Sequence, residues 1–368
     1  MNTIIGQYHY SGIKDELIIT SNTTGLFLKL DAFLEKHDLE TKLIFLSYEL
    51  KNNIENLASN NTDPVQFPIL HCIVPEKIAN KKSFPISSIS NNNTFLFNPE
   101  IDKKEYLNRV NKIKEHIQLG DIYETNFCYG WTSKNKLLNP HELFQKLNAL
   151  TKAPFSVYAD LKNHVILCAS PERFIKKRGD KLISQPIKGT AKKVANKDLD
   201  KKIIKQLKAD PKERTENIMI VDLVRNDLSK IATKNSVSVD ELCKVYSFEN
   251  IHQLISTVSC KIHKNISFST ILKALFPMGS MTGVPKIKAM ELMEHYETTK
   301  RGLYSGSIGI IHPGGDFDLN VVIRTLIYNK INQTLCFNVG GAITIDSNPE
   351  KEYEETLVKA DALIKACE

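Results

Sequence analysis

Between Ile101 and Gly120 the apolar residues Tyr106, Val110, Ile113 and Ile117 recur at helical spacing, and Gly120 ends the run as a C-terminal capping glycine does. A helix is predicted there. The period then shortens to two: DIYETNFCYGW (121–131) reads as a strand, with further strands predicted at 154–160, 164–169 and 182–187. Helical patterning returns over 197–208 and 211–228. Nearer the C-terminus LYSGSIGIIH, FDLNVVIRTLIYN and QTLCFNVGGAITID form three strand-like runs divided by PGG and NKIN, which predicts an antiparallel meander. A last helix is predicted from Pro349 to Ala366, behind the capping residues Ser347 and Asn348. The first hundred residues read as strands and short helices, followed by an Asn/Ser-rich connection at 87–94 expected to be exposed. Strands and helices come in blocks rather than in strict alternation, so an α+β layered fold is expected. Its expected parts are a motif-poor N-terminal part of the layers at 1–95 and a motif-rich region at 100–366.

Composition narrows the function classes. A chain of 368 residues is long enough for two domains or one large layered domain with a sizeable core. No apolar run approaches the roughly 18 residues of a membrane span, and MNTIIGQYHYSG lacks the basic-then-apolar pattern of a secretory leader. Seven dispersed cysteines without a CxxC pair fit reduced thiols, so a cytoplasmic protein without a zinc site is expected. The formal charge of +7 comes from scattered lysines with no nucleic-acid-binding pattern, which leaves neither nucleic acid nor membrane as an expected partner. Arginine is scarce, seven in all, and most of it falls inside the motif blocks given below; a small anionic substrate is the better use for it.

Four carboxylates stand out. Glu213 and Glu216 lie three apart near the start of one predicted helix, and Glu352 and Glu355 repeat that spacing near the start of the last, so each pair projects from one helical face. Alone, either pair reads as a solvated face. If the two pairs converge, something positive must lie between them, and a hard cation such as Mg²⁺ suits oxygen donors better than a thiol- or imidazole-bound metal. GSMTGVPK (279–286) lacks Walker spacing and reads as a glycine-rich turn before a helix. Gly340 and Gly341 are placed where a strand turns toward the last helix, letting backbone N–H groups approach an anion. Arg324 reads as part of a strand, either in a core-edge ion pair or, the preferred reading, as a bidentate carboxylate clamp. Lys188 has Pro186 and Ile187 before it and Gly189 and Thr190 after it, neighbours that offer an ammonium little solvation.

SPERF (170–174), PIKGT (186–190), KERTENIMIVDLVRNDL (212–228), PMGSMTGVPKIKAMELM (277–293), RGLYSGSIG (301–309), IRT (323–325) and VGGAITIDSNPEKEYEETLVKA (339–360) together resemble, in order and spacing, the chorismate-utilising enzymes. That family includes the large subunits of anthranilate and aminodeoxychorismate synthases and the isochorismate and salicylate synthases. The resemblance covers roughly residues 100–365. It implies a sandwich of two large antiparallel sheets flanked by helices, of the anthranilate synthase component I kind, with Mg²⁺ and chorismate between them. By position it makes Glu216 and Glu355 metal ligands, with Glu213 and Glu352 in support. Tyr304, Arg324 and the Gly340/Gly341 backbone match carboxylate-binding positions, Gly189 and Thr190 flank the substrate, and Glu172 matches a general acid/base.

Position 188 separates the branches. The resemblance implies alanine there for anthranilate synthases and lysine for the enzymes that aminate chorismate at C4. It implies that Lys188 attacks C2 as a neutral amine, its pKa lowered by a desolvated pocket, while Glu172 helps the C4 hydroxyl leave and ammonia then enters at C4. No amidotransferase block is recognised in the chain, so ammonia is expected from a glutamine amidotransferase subunit or from free ammonium. The alternatives are anthranilate synthase component I and a non-catalytic chorismate-binding protein. Some residues depart from the family pattern. Glu124 stands where the ammonia-using members carry glutamine and the water-adding members lysine. Gln253 takes the place of a histidine, with His252 one position earlier. Ser184, Gln185 and Ala342 are further departures, and the Ala342 methyl is expected to narrow the anion pocket.

Overall fold

A computed structural model describes residues 1–80, 95–249 and 251–368. The connection expected at 87–94 lies outside the described residues. Two antiparallel sheets make up the body of the molecule. The first runs, in spatial order, Gly283–Val284, Glu124–Lys134, Thr334–Ile343, Thr325–Asn329, His164–Ser170, Phe155–Asp160, Asn2–Ile5, Tyr8–Ser11 and Lys77–Asn80. The second runs Ile187–Lys192, Ile251–Lys261, Lys181–Gln185, Arg173–Arg178, Phe317–Asn320, Ser307–Ile311, Lys42–Leu46, Leu70–Val74 and Asp15–Ile19. N-terminal strands therefore extend both sheets rather than forming a sheet of their own.

Period-two patterning explains how the layers assemble. Along His164–Ser170, Val165, Leu167 and Ala169 enter one core against helices, while Ile166 and Cys168 enter a second core between the sheets. Along Lys42–Leu46, Leu43 and Phe45 join that same inter-sheet core, and Ile44 and Leu46 join a third core under helices on the far side. Strands buried on both faces read as continuous apolar runs, which is why HVILCAS and KLIFL carry polar residues only at their ends. All seven cysteines are buried, with no disulfide between them.

The helices fall where their periodicity puts them. Lys103–Gln118 buries Tyr106, Val110 and Ile113 and is followed by Gly120 at φ +83°. Lys197–Ala209, Pro211–Ser229 and Pro349–Ala366 are found within a residue or two of expectation. No helix among the described residues is long and apolar enough to cross a membrane.

Two expectations are corrected. Residues 303–346 do not form one meander: Ser307–Ile311 and Phe317–Asn320 pair in the second sheet, whereas Thr325–Asn329 and Thr334–Ile343 pair in the first. The chain changes sheets between Val321 and Arg324, inside what reads as one apolar run, because both halves bury the same kinds of side chain. And the single strand expected at 182–187 is broken at Pro186: Lys181–Gln185 ends before it, and a separate strand, Ile187–Lys192, pairs with Ile251–Lys261 beyond it.

Candidate active site

The sheets part at the end where Ile187–Lys192 and Thr334–Ile343 lie, leaving a cavity of about 540 Å³. That volume suits a small organic ligand. Helices Pro211–Ser229 and Pro349–Ala366 close it, and their starts share one local grammar. Asp210 accepts a hydrogen bond from the Glu213 N–H at 3.1 Å, Asn348 from the Lys351 N–H at 3.2 Å, and a proline follows each cap. Glu213, Glu216, Glu352 and Glu355, all expected as metal ligands or their supports, line the cavity from the first two turns of these helices. The positive helix ends favour the first-turn carboxylates, Glu213 and Glu352.

Lysines already occupy the space between the four acids. Lys212 Nζ lies 2.8 Å from Glu352 Oε1 and 3.8 Å from Glu216 Oε1, and Lys359 Nζ lies 2.8 Å from Glu355 Oε1. Burial, reinforced by Glu216 and Glu355, nevertheless pushes the Glu213 carboxyl up to about 7. Glu216 Oε1 is buried without a hydrogen-bond partner. Among the described residues no three carboxylate, imidazole or thiol groups form a ready-made metal cage. The donors are carboxylate oxygens, however, and Mg²⁺ characteristically takes one or two of them plus water and substrate oxygens. In chemical kind the residues fit that ion.

Lys188 faces this cavity. Its Nζ stands 2.9 Å from Glu124 Oε1 and 3.4 Å from Glu216 Oε2, among side chains almost wholly removed from solvent. Here the lowered pKa expected for this amine is corrected. Burial by itself would lower the ammonium, but the Glu124 and Glu216 carboxylates outweigh it and hold Lys188 above its ordinary value. Its sequence neighbours are apolar; its spatial neighbours are acids. Gly189, at φ +73°, lets the strand bend past Glu213, whose Oε2 would lie 3.1 Å from an added Cβ. Thr190 follows on the exposed side of the cavity wall.

Glu172 sits just ahead of Arg173–Arg178, its backbone fixed by an N–H donated to Ser170 Oγ and a carbonyl accepting from the Val321 N–H. Its carboxyl is buried and accepts a hydrogen bond from Ser280 Oγ at 2.7 Å. Burial raises it to about 7, against the lowering effects of Ser280, Lys188 and Arg324. Such a group is partly protonated near neutrality, as a general acid must be.

Arg324 is not in a strand. It occupies the crossover between sheets at φ +51°, and its guanidinium has no ion-pair or hydrogen-bond partner among the described residues, although burial bears on its charge. The structure thus gives no core-edge ion pair and leaves a cation facing the cavity. Gly340 and Gly341 likewise lie inside Thr334–Ile343 rather than at a turn, opposite Cys128 and Phe127. A Cβ at Gly340 would come within 2.3 Å of Phe127 O, so close strand packing requires glycine there. Tyr304 is buried in the wall with its hydroxyl 3.8 Å from Cys128 Sγ, and Ala342 also lines the cavity.

Sequence reasoning left some residues without a role. Glu124 stood out as a departure, but nothing in DIYETNF signals that it meets Lys188 from 64 residues away. Gln253 lines the cavity, whereas His252 turns to Ser247 and Asp200, 2.8 and 2.9 Å off, and serves as a strut between strand and helix. Ser280 was hidden in a turn explained by its glycines.

Comparison with known proteins adds a family. A family model described as chorismate binding enzyme matches residues 25–365. Over 292 residues the chain is 38% identical to "Probable aminodeoxychorismate synthase, chloroplastic" of Oryza sativa subsp. japonica, covering 78% of this chain and 32% of that protein. It is 36% identical to aminodeoxychorismate synthase component 1 of Escherichia coli K12, covering 72% and 58%, and 34% identical to anthranilate synthase component 1 of Aquifex aeolicus, covering 72% and 53%. The chain therefore spans between a third and three fifths of these relatives' lengths. The solved anthranilate synthase component I of Streptococcus pneumoniae superimposes with a TM-score of 0.82 at 23% identity, over 99% of this chain and 92% of that one, which shows the two-sheet sandwich fold.

Proposed function

The chain belongs to the chorismate binding enzymes, and from that membership we propose that it is the ammonia-using component of an aminodeoxychorismate synthase, replacing the C4 hydroxyl of chorismate by an amino group. Overall identity to aminodeoxychorismate and anthranilate synthases differs by only a few per cent, so the reading rests on one side chain. That side chain is Lys188, whose amine lies inside the cavity, where the anthranilate pattern has alanine.

Chorismate carries two carboxylates. In this reading Arg324, the Tyr304 hydroxyl and the Gly340/Gly341 backbone take the enolpyruvyl carboxylate, while Gly189 and Thr190 border the ring. Glu216 and Glu355 would hold Mg²⁺, with Glu213 and Glu352 in support. The ion, when bound, supplies electron withdrawal through the ring carboxylate. Lys188 first gives up a proton, for which Glu124 at 2.9 Å is the acceptor at hand. Its nitrogen then bonds to C2 as both ring double bonds shift by one position and the C4–O bond breaks, and Glu172 gives its proton to the departing oxygen, so that water leaves. Ammonia bonds to C4, both double bonds shift back, and the C2–N bond breaks to release the lysine. The enolpyruvyl group stays in place. A glutamine amidotransferase partner is the ammonia source this reading assigns, and 4-aminobenzoate and folate synthesis the use of the product.

Incubation with chorismate, Mg²⁺ and an ammonium salt, followed by mass spectrometry and fluorescence, tests the reading. An amino product that keeps its pyruvyl carbons is expected. Fluorescent anthranilate with released pyruvate would mean C2 amination instead, and unchanged chorismate a binding protein without catalysis.

A further inference from the structure

Serines in glycine-rich turns usually spend their hydroxyl on the turn's own backbone. In the 3₁₀ turn Gly279–Met281 that task falls to Thr282, whose Oγ1 donates to Met278 O and Gly279 O at 3.3 and 3.2 Å. Ser280 Oγ instead reaches across 108 residues to Glu172 Oε1. The turn that presents it is held from three sides. Arg301 Nη1 donates to Met281 O at 2.7 Å, Lys286 Nζ donates to Pro277 O at 2.9 Å, and Gly279 packs so near Leu223 that a Cβ would fall 2.9 Å from its Cδ2. Lys286 is itself pinned by Asp227 of the Pro211–Ser229 helix. A hydroxyl carried by such a frame has a fixed position, and so has the carboxyl oxygen that accepts from it.

We infer that Ser280 is a positioning residue for Glu172: by holding Oε1 it leaves Oε2 as the oxygen that carries the transferable proton and sets the pH range over which that proton is present. The inference rests on the acid role given to Glu172 above. Other groups face this carboxyl too: the Ile187 N–H and the Lys188 ammonium from the Ile187–Lys192 strand, and Arg324 from the crossover. Asp227 borders the small void behind it but is paired with Lys286 and Lys230. Lys188 and Arg324 act at a distance as charges, whereas Ser280 is the side chain that donates to the carboxyl directly. A hydrogen bond to a carboxylate favours its ionised form, so loss of the hydroxyl keeps Glu172 protonated to higher pH.

Difference infrared spectroscopy tests this without relying on turnover. Subtracting the spectrum of Glu172→Gln isolates the Glu172 carboxylic acid band, which is then followed against pH. In Ser280→Ala the ratio of ionised to protonated Glu172 at a given pH should fall about tenfold or more, and Ser280→Thr should restore it. The high-pH limb of kcat/KM should move upward in Ser280→Ala by the same factor. A band that titrates identically in wild type and Ser280→Ala overturns the inference, even if the wild type aminates chorismate. A band that shifts as expected in a protein that fails to aminate chorismate upholds the positioning role and sinks the proposed reaction instead.

Discussion

At the scale of single residues, the cavity separates groups by the charge their surroundings impose. Glu172 is raised to about 7 while Lys188 is held charged by Glu124 and Glu216. The proton needed on Glu172 is present below about pH 7 and lost above it, so C4 amination should decline as pH rises through that range; the kcat/KM profile of wild type against Glu172→Gln checks this. Lys188→Ala should lower amination about a hundredfold or more, with Lys188→Arg giving no rescue because a guanidinium stays charged and is no nucleophile. The Arg324 guanidinium makes no hydrogen bond or ion pair among the described residues, so Arg324→Gln should leave folding intact and raise KM for chorismate about tenfold or more, read from initial rates. The identities of these residues were legible in the sequence as motifs. Their electrostatics were not, because PIKGT displays only the neighbours along the chain, whereas Glu124 arrives from a strand in the other sheet.

Elements explain how so much negative charge is tolerated. Both glutamate-bearing helices begin with a capping residue and a proline and aim their positive ends at the cavity, and Lys212 joins them by contacting Glu216 and Glu352 at once. The later start was read from Asn348 and Pro349; the earlier one, with Asp210 and Pro211 in the same roles, was placed by helical patterning alone. The division of FDLNVVIRTLIYN between two sheets was not legible, since an apolar strand buried on both faces looks the same whichever sheet receives it. The glycines were read as a turn for a similar reason: Gly340 is required by contact with a neighbouring strand, which has no signature along its own chain. Gly340→Ala should destabilise the protein by roughly 1–3 kcal/mol, seen as a lowered midpoint of thermal unfolding, because the methyl meets the Phe127 carbonyl.

For the whole molecule, the sheets place the chemistry in a cavity lined by both of two layers that share one core. Glu172, Lys188, Arg324 and the two glutamate pairs come from separate stretches of the chain, so the site exists only when both sheets and both helices are assembled. Block-wise patterning disclosed the layers; it left the sheet order open, since pairing across long separations depends on which faces meet and not on any local period. The central claim is that the lysine in this cavity bonds covalently to the substrate, and intact-protein mass spectrometry after incubation with chorismate and Mg²⁺ in ammonia-free buffer tests it most directly. The account predicts a protein whose mass has grown by chorismate less one water, the increment located on Lys188 by peptide mapping and abolished in Lys188→Ala. An unmodified lysine in a preparation that aminates chorismate at C4 once ammonium is added, at a rate unchanged by Lys188→Ala, would contradict it.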